Sequence, residues 1–312
     1  MSLSFDREYA SGKLGSMKTT CFNLSIAALL SAPVLLSGAI LIDGYTTLGN
    51  DRFAGSTSFI GTGLDLSGVG IAESGSGRWV TMLSSNVFIT AQHYAPSNGS
   101  SVTFYETNDP VGPSLTRTIQ SSQRIGNSDL RIGVLDAALT GAYASYAFAN
   151  ESVSSFQQFA GSSFALQNAY LLGRSPSGFP VSQDIAVGRN VLDSWADGVT
   201  VGGTTDDAII AIQNSSNENN YVSDEAFLQT GDSGAPLFVE VGGILTIVGL
   251  NWYVGTVNGT NFNGFSYLGN YDADIEAFID ANSAVVIPEP LHISAAMGFL
   301  VLLMRLFMIF KR

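Results

Sequence analysis

The sequence predicts an all-β protein with one late helix. Between about residue 40 and residue 270 the apolar residues come in short runs, such as Asn86 to Ala91, Ser101 to Glu106, Ala208 to Gln213 and Gly243 to Trp252. Gly, Asn and Ser turns separate them, which is the pattern of strands joined by tight connections. No clear amphipathic helix appears until Tyr271 to Ala281, where Ile275, Phe278 and Ile279 share a face. Many regular strands followed by one helix indicate a barrel or a sandwich.

The segments follow in chain order. Residues 1–16 are polar and read as an extension or a misassigned start. Residues 17–39 read as a secretory signal peptide. Lys18 supplies the positive charge, Leu24 to Leu36 the apolar stretch, and Ser37-Gly38-Ala39 the small residues before a cut after Ala39. An uncleaved membrane anchor is the alternative. The only cysteine, Cys21, falls in this segment and outside any lipidation context. The exported domain therefore has no disulfide and must be held by its core. Residues 40–287 are enough for a sizeable core in one two-lobed unit. The lobes are expected at 40–150 and 151–285, split in the Ala/Ser-rich stretch 137–163.

Two short motifs carry chemistry. Thr90-Ala91-Gln92-His93 ends an apolar run with a histidine, and Gly231-Asp232-Ser233-Gly234-Ala235-Pro236 places a serine on a tight turn. A serine between glycines exposes its hydroxyl beside backbone N–H groups, and a histidine supplies the base. The chain has two histidines, and His292 lies in an apolar C-terminal stretch, so His93 is the candidate base. A carboxylate must orient its imidazole. Asn127-Ser128-Asp129 leads into the alternating run Leu130, Ile132, Val134, and Asp136 ends it. A buried, fixed carboxylate suits the entry to a core strand, so Asp129 is preferred over Asp136. Asp206-Asp207 and Asp224-Glu225 lack calcium-loop spacing and read as solvated turns.

At these residues the chain resembles the trypsin/chymotrypsin-like serine protease family. T-A-Q-H is similar to its histidine motif, Asp129-Leu130 with the following aliphatic alternation to its aspartate strand, and G-D-S-G-A-P to its serine motif. The order His, Asp, Ser is also that family's order, whereas other triad folds use other orders. Ile247 to Trp252 resembles the strand carrying the family's S-W-G segment, and Tyr271 to Ile279 its C-terminal helix. The resemblance spans about residues 50–282. It implies two packed six-stranded antiparallel β-barrels, with His93 and Asp129 in the first, Ser233 in the second, and the site in the cleft between them. It implies catalysis by His93, Asp129 and Ser233, with an oxyanion hole from the N–H groups of Gly231 and Ser233. Gly231 has no side chain to obstruct that approach. Asp232 would pair with a buried partner that holds the turn open; in many members that partner is the freed N-terminal amine. The same alignment makes Phe227, Asn251, Trp252 and Tyr253 the substrate-binding residues.

The chain departs from the family pattern in three places. Tyr94 stands where most animal members have a half-cystine. Phe227 stands six residues before the nucleophile, where trypsins have Asp, and Tyr253 stands where a Gly usually opens the pocket. A Phe floor and a Tyr gate argue against cleavage after Arg or Lys. They favour a small or uncharged residue before the scissile bond. Packing of both rings into the core is the competing explanation.

The end of the chain resembles a PEP-CTERM sorting tail, residues 286–312: Pro288-Glu289-Pro290, an apolar segment from Leu291 to Phe310, then Lys311-Arg312. Its 20 residues are just enough to span a bilayer. Arg305 interrupts the segment and must snorkel. The resemblance implies export by a Gram-negative bacterium, transient inner-membrane anchoring, and delivery to the cell surface or matrix. Signal peptidase and an exosortase-type enzyme are the expected processing partners; a plain C-terminal anchor is the alternative. Between residues 40 and 290 there are seven arginines, no lysine and 24 acidic residues, a net of −17. Such a surface repels nucleic acid and favours solubility.

The function that follows is an exported serine endopeptidase acting on protein or peptide substrates, with no cofactor and no metal. An inactive protease-like adhesion or matrix domain is the main alternative. An esterase on another fold is disfavoured, because its elbow would read G-x-S-x-G and here Ala235 takes the last place.

Overall fold

The computed structural model describes residues 38–72, 78–177 and 185–282. The expected signal peptide up to Ser37 and the expected sorting tail lie outside the described residues. No helix among the described residues is long and apolar enough to cross a membrane.

The chain is all-β. A short strand β1 (Leu41–Ile42) and a one-turn helix α1 (Thr47–Asn50) precede the first barrel. That barrel is built from β2 (Val69–Ala72), β3 (Arg78–Met82), β4 (Val87–Ala91), β5 (Ser101–Tyr105), β6 (Ser114–Arg124) and β7 (Leu130–Leu135). It closes in the order β2-β3-β4-β7-β6-β5, and closure leaves no unpaired edge.

A connection through β8 (Ala147–Phe148) and α2 (Phe156–Ala160) leads to the second lobe. This comprises β9 (Asn168–Arg174), β10 (Ile185–Val191), β11 (Ser194–Val201), β12 (Thr204–Ile212), β13 (Ala226–Phe227), β14 (Pro236–Val241), β15 (Ile244–Val257) and β16 (Thr260–Tyr267). Helix α3 (Asp272–Asn282) follows. Its Ile275 is fully buried, and Phe278 and Ile279 pack on the same core, as the periodicity predicts.

The second lobe differs from a closed six-stranded barrel. Seven antiparallel strands run in the order β10-β9-β14-β15-β16-β12-β11, and β8 adds in parallel to β15. No ladder joins the outer strands, so the sheet is a half-barrel. The edge of β10 is covered instead: Asp51 bridges to Ala186, and Glu225 bridges to Arg189. The N-terminal segment also belongs to this lobe, because β1 pairs with β13 and Ile40 and Ile42 join the sheet's core.

Three apolar layers result. Phe88, Val80, Met82, Val102, Phe104 and Ile119 fill the closed barrel. Leu171, Trp195, Ile209, Leu237, Val248 and Phe265 fill the half-barrel. A third cluster forms the seam, where Trp79, Val87, Ile89 and Ile132 meet Leu172, Phe238, Ile247 and Leu250. This explains why β4 is buried along its whole length instead of alternating. Phe88 points into the barrel, whereas Val87 and Ile89 point the other way, into the seam. Ile89 lies opposite Ile132 in the β4–β7 ladder, and both are almost fully buried. Truncating Ile89 to Ala is expected to cost about 2–5 kcal/mol, read as a lower denaturant midpoint with an unchanged slope. A loss under about 1 kcal/mol would mean the seam is not tightly packed.

Candidate active site

Strand register brings His93 and Asp129 together. In the antiparallel β4–β7 ladder, Ala91 faces Leu130. The residue after Ala91 therefore faces the residue before Leu130, and Gln92 N–H donates to Asp129 O at 2.7 Å. At Gln92 the chain leaves the strand in a 3₁₀ turn, Gln92–Tyr94, which swings His93 towards Asp129. His93 N–H donates to Asp129 Oδ1 at 3.1 Å. His93 Nδ1 lies 2.6 Å from Asp129 Oδ2. The carboxylate is fully buried, while about a third of the histidine side chain is exposed. One nitrogen is thus occupied by a fixed carboxylate and the ring reaches solvent, which is the geometry of an oriented general base. Asp136 sits at the opposite end of β7, about 20 Å away at strand rise, and accepts Thr118 N–H.

The serine turn is held in place by groups from the second lobe. Gly231 and Gly234 have φ of 106° and 86°, in the left-handed region that glycine tolerates. Gly234 N–H donates to Asn251 O, and Asn251 N–H donates to Ala235 O, both at 2.9 Å. The Asn251 amide donates to Leu172 O at 2.9 Å and Asp232 O at 3.0 Å. Asn251 is buried, so it supports the serine turn from behind. Asp232 is fully buried; its carboxylate accepts Arg174 N–H at 2.7 Å and Gln229 N–H at 2.8 Å. These backbone groups are the buried partners expected for Asp232. A Cβ on Gly173 would lie 2.8 Å from Asp232 Oδ1, so a bare backbone is needed beneath the carboxylate.

The two lobes meet at this turn. A Cβ on Gly234 would lie 3.1 Å from both Ala91 N and Thr90 Oγ1. The turn is thereby seated against the end of β4, two residues before His93. Trp79 of β3 donates its indole N–H to Gly231 O at 3.3 Å. Ser233 is partly exposed. Its hydroxyl makes no hydrogen bond among the described residues, and neither do the N–H groups of Gly231 and Ser233. All three groups are free to meet a ligand.

The expected substrate-binding residues lie in different surroundings. Phe227 is half-buried on β13, paired with Leu41. Trp252 is 5% exposed and packs with Val199, Ile210 and Phe262. Tyr253 stacks edge-on with Trp252 and Phe262. Its ring lies so close over Gly264 that a Cβ there would come within 2.2 Å of it. Two cavities, of about 830 Å³ and 340 Å³, contain none of these residues and none of the triad. Among the described residues no cluster of three or more His, Cys, Asp or Glu could hold a metal.

Two carboxylates read as solvated turns are in fact buried: Asp206 is 3% and Glu225 1% exposed. Asp206 shares a face of β12 with Thr204, Ala208 and Ile210, opposite the face that carries Ile209 and Ala211 into the half-barrel core. Glu225 instead closes a loop, accepting Asn214 N–H and Val222 N–H. Asn251 was expected at the substrate site and is found behind the serine turn instead; Trp79, to which the sequence reading gave no role, reaches Gly231 from 152 residues away.

No protein-family model matches the chain, and no curated protein matches it.

Burial pushes several carboxyls up: Asp232 to about 7, Glu225 to about 7 and Asp193 to about 6. Backbone N–H bonds only partly oppose this. A raised folded pKa means the protonated form is favoured on folding. That stability is complete below the ordinary carboxyl range and is lost as pH rises through 6–7. The melting temperature is therefore expected to fall by several degrees between pH 5 and pH 8. A thermal scan that is flat or rising over that range would contradict the assignment.

Proposed function

We propose that the chain is an exported serine endopeptidase, similar to the trypsin/chymotrypsin-like family, that cleaves peptide bonds through His93, Asp129 and Ser233. The observation that carries this reading is the 2.6 Å contact of His93 Nδ1 with the buried Asp129, beside a glycine-flanked serine whose turn packs on the same strand end.

In this reading Ser233 Oγ attacks the scissile carbonyl carbon while His93 Nε2 takes its proton. Asp129 holds the Nδ1–H tautomer and stabilises the imidazolium. The oxyanion accepts the N–H groups of Gly231 and Ser233. One such donor is worth about 10²–10³ in rate in a comparable hydrolase. Collapse breaks the C–N bond, and His93 gives its proton to the leaving amine. Water, deprotonated by His93, then attacks the acyl ester and releases Ser233. Trp79 and Asn251 support the turn that presents the oxyanion donors.

The Tyr253 ring over Gly264 supports a shallow subsite for a small or uncharged residue before the scissile bond. A signal-peptidase cut after Ala39 would free the amine of Ile40, whose nitrogen lies on Arg174 O at 3.2 Å. Delivery to the surface or matrix rests on the likeness of residues 286–312 to a sorting tail. The acidic surface disfavours nucleic acid as a partner.

One observation favours the second reading, an inactive matrix or adhesion domain: Ser233 Oγ makes no hydrogen bond to His93. Catalytic hydrogen bonds in unliganded enzymes are often long and tighten with substrate, so the endopeptidase reading stands first.

A fluorophosphonate probe is expected to label Ser233, and Ser233→Ala to abolish both labelling and peptide hydrolysis. Full hydrolysis by Ser233→Ala would sink the proposal, and a folded, unlabelled protein would favour the inactive domain. Asp129→Asn is expected to lower kcat by about 10⁴, the loss the same change causes in a well-characterised triad enzyme. Tyr253→Gly is expected to raise kcat/KM for a bulky apolar residue before the scissile bond by about tenfold or more. Unchanged peptide-library preferences would show that the Tyr253 ring does not gate the subsite.

A further inference from the structure

Asp206 sits behind the His93–Asp129 pair and belongs to the other lobe. Its Oδ2 accepts Asp129 N–H at 2.9 Å and the Ser266 hydroxyl. Its Oδ1 accepts Asp207 N–H at 2.9 Å and the Tyr271 phenol at 2.6 Å. The donors come from the entry to β7, from β12 itself, from β16 and from the turn before α3. The carboxylate is 3% exposed, and among the described residues no arginine pairs with it. A buried carboxylate is costly unless it is hydrogen-bonded; four donors from four segments offset part of that cost, and burial still holds the Asp206 carboxyl above the ordinary carboxylate range.

We propose that Asp206 is a positioning residue of the triad: it clamps Asp129 through its backbone N–H, and its charge favours the imidazolium form of His93. The proposal rests on the serine-hydrolase reading. Asp129 is fixed on its other sides from the end of β4, where its carbonyl accepts Gln92 N–H and its carboxylate accepts His93 N–H and Nδ1–H. The Ser128–Asp129 peptide is held at two points, its carbonyl by Arg124 Nε at 2.7 Å and its N–H by Asp206 at 2.9 Å. Losing the second loosens the peptide and lets Oδ2 shift away from His93. Displacement of about 1 Å at such a group can cost about 10² in rate.

The charge acts in the same direction. Two carboxyl groups lie on the Asp129 side of the imidazole: that of Asp129 on Nδ1, and that of Asp206 on the Asp129 N–H. The groups facing Asp206 are Asp129, Asp207, Ser266 and Tyr271, with Asp272 next to Tyr271. Arg124 reaches the same region through Ser128 O, Asn127 O and Thr204 Oγ1. On the far side, His93 faces Tyr94, over which Arg78 stacks. Arg124 and Arg78 oppose the two carboxylates from further out, so removing the Asp206 charge should shift the balance against the imidazolium.

The test is Asp206→Asn in the full chain, with His292→Gln present so that His93 gives the one histidine signal. Two quantities are read: the NMR titration of the His93 ring and the rate of fluorophosphonate addition to Ser233. The expected result is a folded protein whose His93 titration moves to lower pH than the parent's and whose phosphonylation slows about tenfold or more. A folded variant with an unchanged His93 titration and an unchanged rate overturns the proposal. A role confined to folding would lower the melting temperature and leave the His93 titration in place, which also overturns it. If Asp206→Asn does not fold, Tyr271→Phe removes one of the four donors and keeps the charge; slowed phosphonylation supports the clamp, and a rate equal to the parent's overturns it. If the parent itself is never phosphonylated, the serine-hydrolase reading has failed, and the His93 titration alone then decides whether Asp206 acts on the pair.

Discussion

The register of one pair of strands is the constraint on which the rest depends. Ala91 opposite Leu130 brings the residues just past the end of β4 beside the residue just before β7. A slip by one residue would turn every side chain of β4 to the wrong face. The apolar demand on both faces forbids that slip: Phe88 must fill the barrel, and Val87 and Ile89 must fill the seam. Packing thus sets the register, and the register sets the His93–Asp129 contact.

The seam between the lobes carries the second half of the arrangement. The described residues contain no cysteine, so no disulfide ties the lobes together. What joins them is a shared apolar layer and a few buried hydrogen bonds: Trp79 to Gly231 O, and Asp129 N–H to Asp206. Gly234 is seated against Thr90 and Ala91, where a side chain would meet both. Polar groups buried in such a seam are either satisfied or expensive. The serine turn is satisfied on its inner side by Asn251, Arg174 and Gln229, and left open on its outer side, where a substrate would bind.

Charge is distributed unevenly in depth. The surface is acidic, but the carboxylates that matter for the site are buried and are held by N–H and O–H donors rather than by cations. Asp129, Asp206 and Asp232 all follow this pattern. Neutral donors fix the position of each carboxyl group, while burial raises Asp206 and Asp232 above the ordinary carboxylate range, which ties part of the protein's stability to pH.

Much of this was legible in the sequence. The period-2 runs and the single late helix determined the all-β class, and T-A-Q-H, the Asp129 strand and G-D-S-G-A-P named three side chains that chemistry would require together. Those signals are local, because strand parity, turn glycines and helical spacing act within a few residues. Only the tertiary structure decided the rest. It opened the second lobe into a half-barrel, because the N-terminal segment and the strand around Glu225 cover the edge of β10. It buried Asp206 and Glu225, which short-range reading placed in solvent, because their donors arrive from distant segments. It also set Tyr253 over Gly264 and Trp79 against Gly231. Burial and hydrogen-bond partnership across tens of residues depend on how sheets curl and meet, and no local pattern encodes that.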